Sequence, residues 1–384
     1  MAKRKRVGLV YSYNEDWVAG SYYILNIIHA LNNLEDKLKP EIILLTDSYD
    51  NFQKVKQETK YPYLRFSRIP FQPRYSFLER GVNKFTKAVF SKRVIKKLPK
   101  FPKLDFLYPN EIQGFPGNLK KVNWIPDFQE DHLPHFFSKE EIHKRKENQN
   151  KVLVNSDIVV FSSQDAKSDF IRLYPQSKAQ LFVLPFAVTH PDFDRENIET
   201  LLKKYQLPKD YFFAPNQFWA HKNHILILKA VKLLKDKGLN VVVAFSGKES
   251  DHRNVENFNL LTTFIAKNEL KEQIKFLGFI DRNEQLCLME NSLAIIQPSL
   301  FEGWSTVVED AKALNKYIIL SNLKVHKEQI TNNADFFNPH EEIFLAQALK
   351  KYLIDKPMTE KSDYSNDIKK FAFNFIELVN LSTR

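Results

Sequence analysis

The segment Phe301-Glu-Gly-Trp-Ser-Thr-Val-Val-Glu-Asp-Ala-Lys-Ala-Leu314 concentrates acidic side chains behind a strand closed by Gln297-Pro298-Ser299 and at the start of a helix. A helix start carries unpaired backbone amides and the positive end of the macrodipole, and Gly303 lets a ligand come close to the main chain. The stretch Gly303, Trp304, Ser305, Thr306, Val307 therefore reads as an anion site with room for a diphosphate. Glu309 has a competing local use, because Thr306-Val-Val-Glu309 is spaced as a capping box. Glu302 has none. It stands before the helix at the carboxyl end of the strand, where a carboxylate can accept hydrogen bonds from ligand hydroxyls.

A second stretch, Phe213-Ala-Pro-Asn-Gln-Phe-Trp-Ala-His-Lys-Asn-His224, joins another strand to its helix and holds Lys222. The helix dipole disfavours a cation at a helix start, so a merely solvated lysine is a poor reading of this position.

Together these segments resemble the family-4 glycosyltransferases of the GT-B fold, whose signature is two acidic residues separated by seven others. Glu302 and Asp310 have that separation, with Asp where the family usually carries Glu; Glu309 has the usual side chain one residue early. The resemblance implies that Glu302 contacts the donor sugar and that Asp310 or Glu309 contacts the ribose hydroxyls. It also implies an arginine and, five residues on, a lysine that grip the diphosphate. Lys222 matches the lysine, but Gln217 stands at the arginine position, leaving His221 or the Gln217 amide to replace part of the missing charge.

Further points of the same resemblance are Ser246-Gly247 and Phe276-Leu-Gly-Phe-Ile280, which place Gly247 and Phe279 around the nucleotide base, and Ala19-Gly20, which sets Gly20 near the diphosphate or acceptor. Asn123-Trp-Ile-Pro-Asp-Phe-Gln129 occupies the place of a catalytic-region histidine. It offers Asp127 as an acid–base candidate, against a turn-forming role for an Asp after proline. The implied activity is retaining transfer of a sugar from a UDP- or GDP-sugar to a glycan or lipid-linked acceptor in bacterial surface polysaccharide assembly. The nucleotide sugar is then a substrate, and neither cofactor nor metal is expected. Asp192-Phe-Asp194 falls in a linker, and His132/His135 and His221/His224 lack a Glu or Cys in zinc spacing.

The elements that must hold these residues follow from the apolar pattern. Short apolar runs at Val7–Tyr11, Ile42–Thr46, Phe106–Tyr108, Val122–Ile125, Ile158–Phe161 and Leu181–Leu184 predict strands in the first half. A polar loop ending at Ala19-Gly20 and the helical spacing Ile24, Ile27, Ile28, Leu31, Leu34 follow the first of them. The pattern restarts after Pro208. Strands at Tyr211–Ala214, Val241–Phe245, Ile274–Leu277, Ala294–Gln297 and Tyr317–Leu320 alternate with helices near His224–Lys235, Val255–Lys267, Asn283–Met289 and Thr306–Leu314. Alternation of this kind implies parallel sheets covered on both faces, and the expected α/β architecture is GT-B, two Rossmann-like doubly wound domains facing a cleft. The expected division is 1–195, joined by the tail 364–384, and 196–363 as the nucleotide-sugar domain.

Composition narrows the alternatives. The 384 residues carry a net charge of +11 and one cysteine, Cys287, which sits in an apolar-periodic stretch and reads as buried. No apolar run is long enough to span a bilayer, and Met1–Arg6 leads straight into a strand, so a cytoplasmic location is expected. Between Arg68 and Lys103 there are eleven Lys or Arg and one acid, Glu79. Leu78, Val82, Phe85 and Val89 recur there at helical spacing among Arg80, Lys84, Lys87, Lys92, Arg93, Lys96 and Lys97. Tyr75–Leu98 thus reads either as a surface for the anionic inner membrane face or as a packed helix with a solvated basic face. Two rivals to an enzyme remain: a GT-B protein that binds nucleotide sugar without catalysis, and a basic nucleic-acid-binding protein. Recognisable nucleic-acid motifs are absent, so no nucleic-acid partner is expected.

Overall fold

The computed structural model describes residues 3–12, 18–69, 76–90, 95, 101–110, 119–193 and 197–383. The chain forms two compact units: Met1–Asn123 with Ser156–Ile158 and Ala372–Arg384, and Trp124–Asn155 with Val159–Phe371. Compactness therefore divides the chain earlier than the composition-based boundary at 195.

In the first unit, β1 (Arg6–Val10), β2 (Glu41–Thr46), β3 (Leu64–Arg68) and β4 (Phe106–Tyr108) make a parallel sheet in the order β3-β2-β1-β4. Val7, Leu9, Ile42 and Leu44 are wholly buried, as expected where helices cover both faces. The helix Val18–Asn32 buries Tyr23, Ile24, Ile27, Ile28 and Leu31. It begins at Val18, so Gly20 lies in its first turn and not at the end of a polar loop. From the tail, Phe375 meets Phe106 and Tyr108 edge-on at 5.9 Å, and Lys5 Nζ donates to Asn380 Oδ1 at 2.8 Å.

The basic segment contains the helix Phe77–Phe90, started by a capping box in which the Ser76 amide donates to Glu79 at 2.7 Å and the Glu79 amide to Ser76 Oγ at 3.3 Å. Its apolar stripe faces outward: Phe77, Leu78 and Phe85 are 91, 79 and 66% exposed. Arg80, Lys84 and Lys87 are exposed as well. Tyr75, Lys92, Arg93, Lys96, Lys97 and the Val89 side chain lie outside the described residues, as does Asp194.

The second unit holds a six-stranded, wholly parallel sheet. β5 (Val122–Ile125), β6 (Ile158–Phe161) and β7 (Gln180–Val183) form a separate three-stranded sheet. The six strands are β8 (Phe212–Ala214), β9 (Val243–Phe245), β10 (Ile274–Phe276), β11 (Ile295–Gln297), β12 (Ile318–Ser321) and β13 (Ala334–Phe337), and they lie in the order β10-β9-β8-β11-β12-β13. Alternate side chains build two cores: Phe212, Val243, Phe245, Ile296 and Ile319 on one face, Phe213, Ala244, Ile295, Ile318 and Leu320 on the other. The helix His224–Lys235 joins the first core through Leu226, Ile227, Ala230, Val231 and Leu234; Cys287 lies buried in the second. This is the doubly wound order in which the first strand lies at the centre and the winding reverses between β8 and β11. Ligands of such sheets bind at the carboxyl ends of the strands at that reversal.

Candidate functional site

The loops leaving β8 and β11 carry the two strongest sequence candidates to the reversal point. Lys222 ends the short 3-10 turn Ala220–Lys222, and Glu302 lies between β11 and the helix Thr306–Ala313. Backbone and side-chain bonds tie the loops together: the Leu300 amide donates to the His221 carbonyl at 2.8 Å, and Asn223 Nδ2 to the Pro298 carbonyl at 3.1 Å. Lys222 Nζ then donates to Glu302 Oε1 at 2.6 Å.

Polar residues to which the sequence reading gives no site role hold that carboxylate in place. Gln297 Nε2 and Ser299 Oγ donate to the same Glu302 Oε1 at 2.8 and 2.7 Å, and Asn216 Nδ2 donates to Gln297 Oε1 at 2.6 Å. Among the described residues these three bonds all fall on Oε1. Burial opposes ionisation of Glu302, but Lys222, followed by His221 and His326, outweighs it and holds the carboxyl down at about 2. His221 is 8% exposed, and burial, reinforced by Lys222, lowers its imidazole to about 3. It is neutral at pH 7 and does not supply the charge missing at Gln217. That expectation is corrected by the desolvation of the ring.

Glu309 and Asp310 point into different surroundings. The expected capping box between Thr306 and Glu309 does not form. Ser305 occupies the cap, and Gln329 satisfies it from another helix, accepting from the Ser305 amide at 3.1 Å and donating to the Ser305 carbonyl at 2.7 Å. The Glu309 carboxylate instead receives Gln329 at 2.9 Å, Lys312 at 3.2 Å and the Tyr364 hydroxyl at 2.5 Å, and its burial raises its pKa. Asp310 Oδ1 meets His190 Nε2 at 2.9 Å and the guanidinium of Arg282. Burial opposes ionisation here too, yet Arg282 and then His190 bring its pKa below the usual carboxylate range. Arg282 continues to Gln285 at 2.7 Å, and Gln285 Nε2 to Ser246 Oγ at 3.4 Å. Asp310 is thus wired to the end of β9, and Glu309 to the C-terminal segment.

Two glycines let backbone segments touch. A Cβ on Gly247, whose φ is +151°, would lie 2.3 Å from the Asn216 carbonyl oxygen and 2.8 Å from Gln217 Cα. A Cβ on Gly303 would lie 2.7 Å from the Pro126 carbonyl oxygen and 2.8 Å from Asp127 Cβ. Asp127 therefore abuts the Glu302 loop. Its Oδ1 also accepts from the Gln129 amide at 3.1 Å, the turn-forming use, and lies 3.6 Å from Arg145. Trp304 Nε1 donates to the Phe186 carbonyl at 3.0 Å, and Phe279, after β10, is 72% exposed. Ser305 spends its amide on Gln329, while the amides of Thr306 and Val307 belong to the helix start, where no intrahelical acceptor exists. Gly20 belongs to the first unit.

The whole chain is similar in fold to solved structures along nearly its full length. It aligns with a glycosyltransferase from Rickettsia africae ESF-5 (TM-score 0.61, 16% identity, 100% of this chain and 97% of that one). It aligns similarly with Anabaena HepE in complex with UDP and glucose (TM-score 0.62, 15% identity, 99% and 95%). The fold is that of the GT-B glycosyltransferases. Residues 197–371 match the family model for glycosyl transferases group 1. In sequence the chain is 25% identical over 216 residues to the O-antigen chain mannosyltransferase RfbU of Salmonella typhimurium, covering 56% of each. It is 23% identical over 212 residues to the serotype-specific mannosyltransferase WbdA of Escherichia coli, 52% of this chain and 25% of WbdA. The chain thus spans about half the length of the first of these relatives and a quarter of the second.

Proposed function

We propose that the chain transfers a glycosyl group from a UDP- or GDP-sugar to a glycan or lipid-linked acceptor in bacterial surface polysaccharide assembly, with retention of configuration and without a metal. The observation that carries this reading is the Lys222–Glu302 pair set between the loops of β8 and β11. Lys222 and the amides of Thr306 and Val307 face the diphosphate as the bond from the anomeric carbon to its oxygen breaks, stabilising charge where it develops. Glu302 Oε2 orients the sugar hydroxyls. Asp310, through its link to the β9 end, is the second donor carboxylate in preference to Glu309, and Gly247 and Phe279 border the base. The acceptor hydroxyl forms the new bond to the anomeric carbon and loses its proton, for which Asp127 is the nearest base. The mannosyltransferase relatives favour a hexose donor.

The outward apolar stripe of the helix Phe77–Phe90 with Arg80, Lys84 and Lys87 supports adsorption on an anionic inner membrane face, which would bring a lipid-linked acceptor to the first unit. Among the described residues no helix is long and apolar enough to cross a membrane. The test of the function is a panel of UDP- and GDP-sugars incubated with the protein and candidate acceptors in EDTA. Release of UDP or GDP with a glycosylated product is expected. Binding without release would favour a non-catalytic nucleotide-sugar protein, and strict dependence on Mg²⁺ or Mn²⁺ would contradict the metal-free mechanism.

A further inference from the structure

Gln217 leaves the donor site one cation short, and buried His221 does not fill the gap. Another cation is joined to His221 through the Trp219 ring. Arg253, in the loop after β9, holds its guanidinium 4.4 Å from the Phe137 ring centroid and 5.5 Å from that of Trp219. Asp251 fastens this loop to the turn that carries Lys222: its Oδ2 accepts from the Ala220 amide at 2.8 Å and its Oδ1 from the Arg253 amide at 2.9 Å. Trp219 in turn packs on His221, ring centroids 5.5 Å apart. The geometry points to Arg253 as the second cation of the donor site, contacting a phosphate group of the bound nucleoside diphosphate in place of an arginine at 217.

Three features fit this role. The guanidinium is stacked and mostly enclosed, with 14% of its side chain accessible, so little rotamer freedom is left to lose on binding. Among the described residues its only side-chain hydrogen bond is from Nε to Glu141 Oε1 at 3.1 Å, which commits neither terminal nitrogen. Its charge also reaches the centre of the site, since His221 feels Arg253 together with Lys222 and Glu302.

This inference rests on the donor reading, and its test separates the two. UDP, GDP, uridine and guanosine are titrated calorimetrically into wild type, Arg253→Gln, Glu141→Gln and Arg253→Gln/Gln217→Arg. Arg253→Gln is expected to weaken the tighter-binding diphosphate roughly tenfold, the scale of one charge-assisted hydrogen bond, while leaving its nucleoside unchanged. Glu141→Gln removes the ion pair but keeps the cation and should not weaken binding; Gln217→Arg should restore what Arg253→Gln loses. Equal loss for nucleoside and diphosphate, or the same loss in Glu141→Gln, would make Arg253 a packing residue and overturn the inference. Wild-type binding that Arg253→Gln leaves unchanged would overturn it alone, whereas a wild type that binds neither diphosphate would overturn the donor reading and this inference with it.

Discussion

Lys222 Nζ and Glu302 Oε1 are 2.6 Å apart across 80 residues of sequence, with 17 and 9% of their side chains accessible, so each is the other's counter-ion in a largely dry site. Removing one member of a buried pair strands the other charge, at a cost of about 3–5 kcal/mol. Lys222→Met should therefore destabilise the chain more than Lys222→Met/Glu302→Gln does. Urea denaturation of the two single variants and the double variant measures the coupling. The pair also sets a pH dependence. The Glu302 carboxyl is held at about 2, below its ordinary 4.5, so its stabilisation is fully present above 4.5 and is lost as pH falls towards 2. Between those values wild-type stability should fall more steeply than that of Glu302→Gln.

Asp310 and Glu309 are adjacent in sequence and meet different partners. Asp310→Asn disturbs the Arg282–Gln285–Ser246 connection and should raise the donor KM roughly tenfold, as expected for one charged hydrogen bond. Glu309→Gln, which faces Tyr364 and Gln329, should alter the melting temperature while leaving the donor KM within about twofold. Steady-state kinetics on both variants distinguishes them, and the reverse pattern would assign the donor role to Glu309.

Gly303→Ala and Gly247→Ala each place a methyl group against backbone or Cβ atoms under 3 Å away, which forces the loops apart. Each should cost about 1–3 kcal/mol or shift the loop enough to depress transfer. Thermal melts and turnover measured together report which occurs; unchanged values in both would mean that the loops do not approach this closely.

The proposed membrane adsorption is tested through the basic segment and the exposed apolar side chains of the helix Phe77–Phe90. Each Lys or Arg near an anionic surface contributes about 1 kcal/mol, so reversing Lys84, Lys87, Lys92 and Arg93 should abolish most cosedimentation with anionic vesicles. Phe77→Ser/Phe85→Ser should weaken it as well. Equal binding to neutral and anionic vesicles would contradict a charge-driven surface.

Much of this was legible in the sequence because it is local. Buried strands read as apolar runs, so β4 and β6, buried throughout, fall at the predicted residues, as does the partly buried β5, and the helix His224–Lys235 has the predicted bounds. The edge strands β3 and β13 were not anticipated: Leu-Arg-Phe-Ser-Arg and Ala-Asp-Phe-Phe mix polar with apolar side chains, as edges do. Lys222 and Glu302 stood out through motif spacing. Asn216, Gln297, Ser299, Gln329 and Arg282 did not, since a buried amide or a clamped guanidinium leaves no periodic trace and is defined only by partners distant in sequence. The capping box failed for the same reason. Thr306-Val-Val-Glu309 has the right spacing, but Gln329 and Tyr364, 20 and 55 residues from Glu309, compete for its groups and win. Of the two groups that could replace part of the charge missing at Gln217, His221 and the Gln217 amide, His221 is kept neutral by its burial, a tertiary property, reinforced by Lys222.

The most direct measurement of the donor site is nucleoside diphosphate release from GDP-mannose and UDP-glucose, in EDTA with acceptor present, by wild type, Lys222→Ala and Glu302→Gln, each first shown to be folded by circular dichroism. Removing one preorganised charge-stabilising group costs about 10²-fold or more in turnover. The predicted result is release of UDP or GDP by wild type from one donor and a loss of that size in both variants. Wild-type rates in either folded variant would contradict the assignment of the Lys222–Glu302 pair to the reaction.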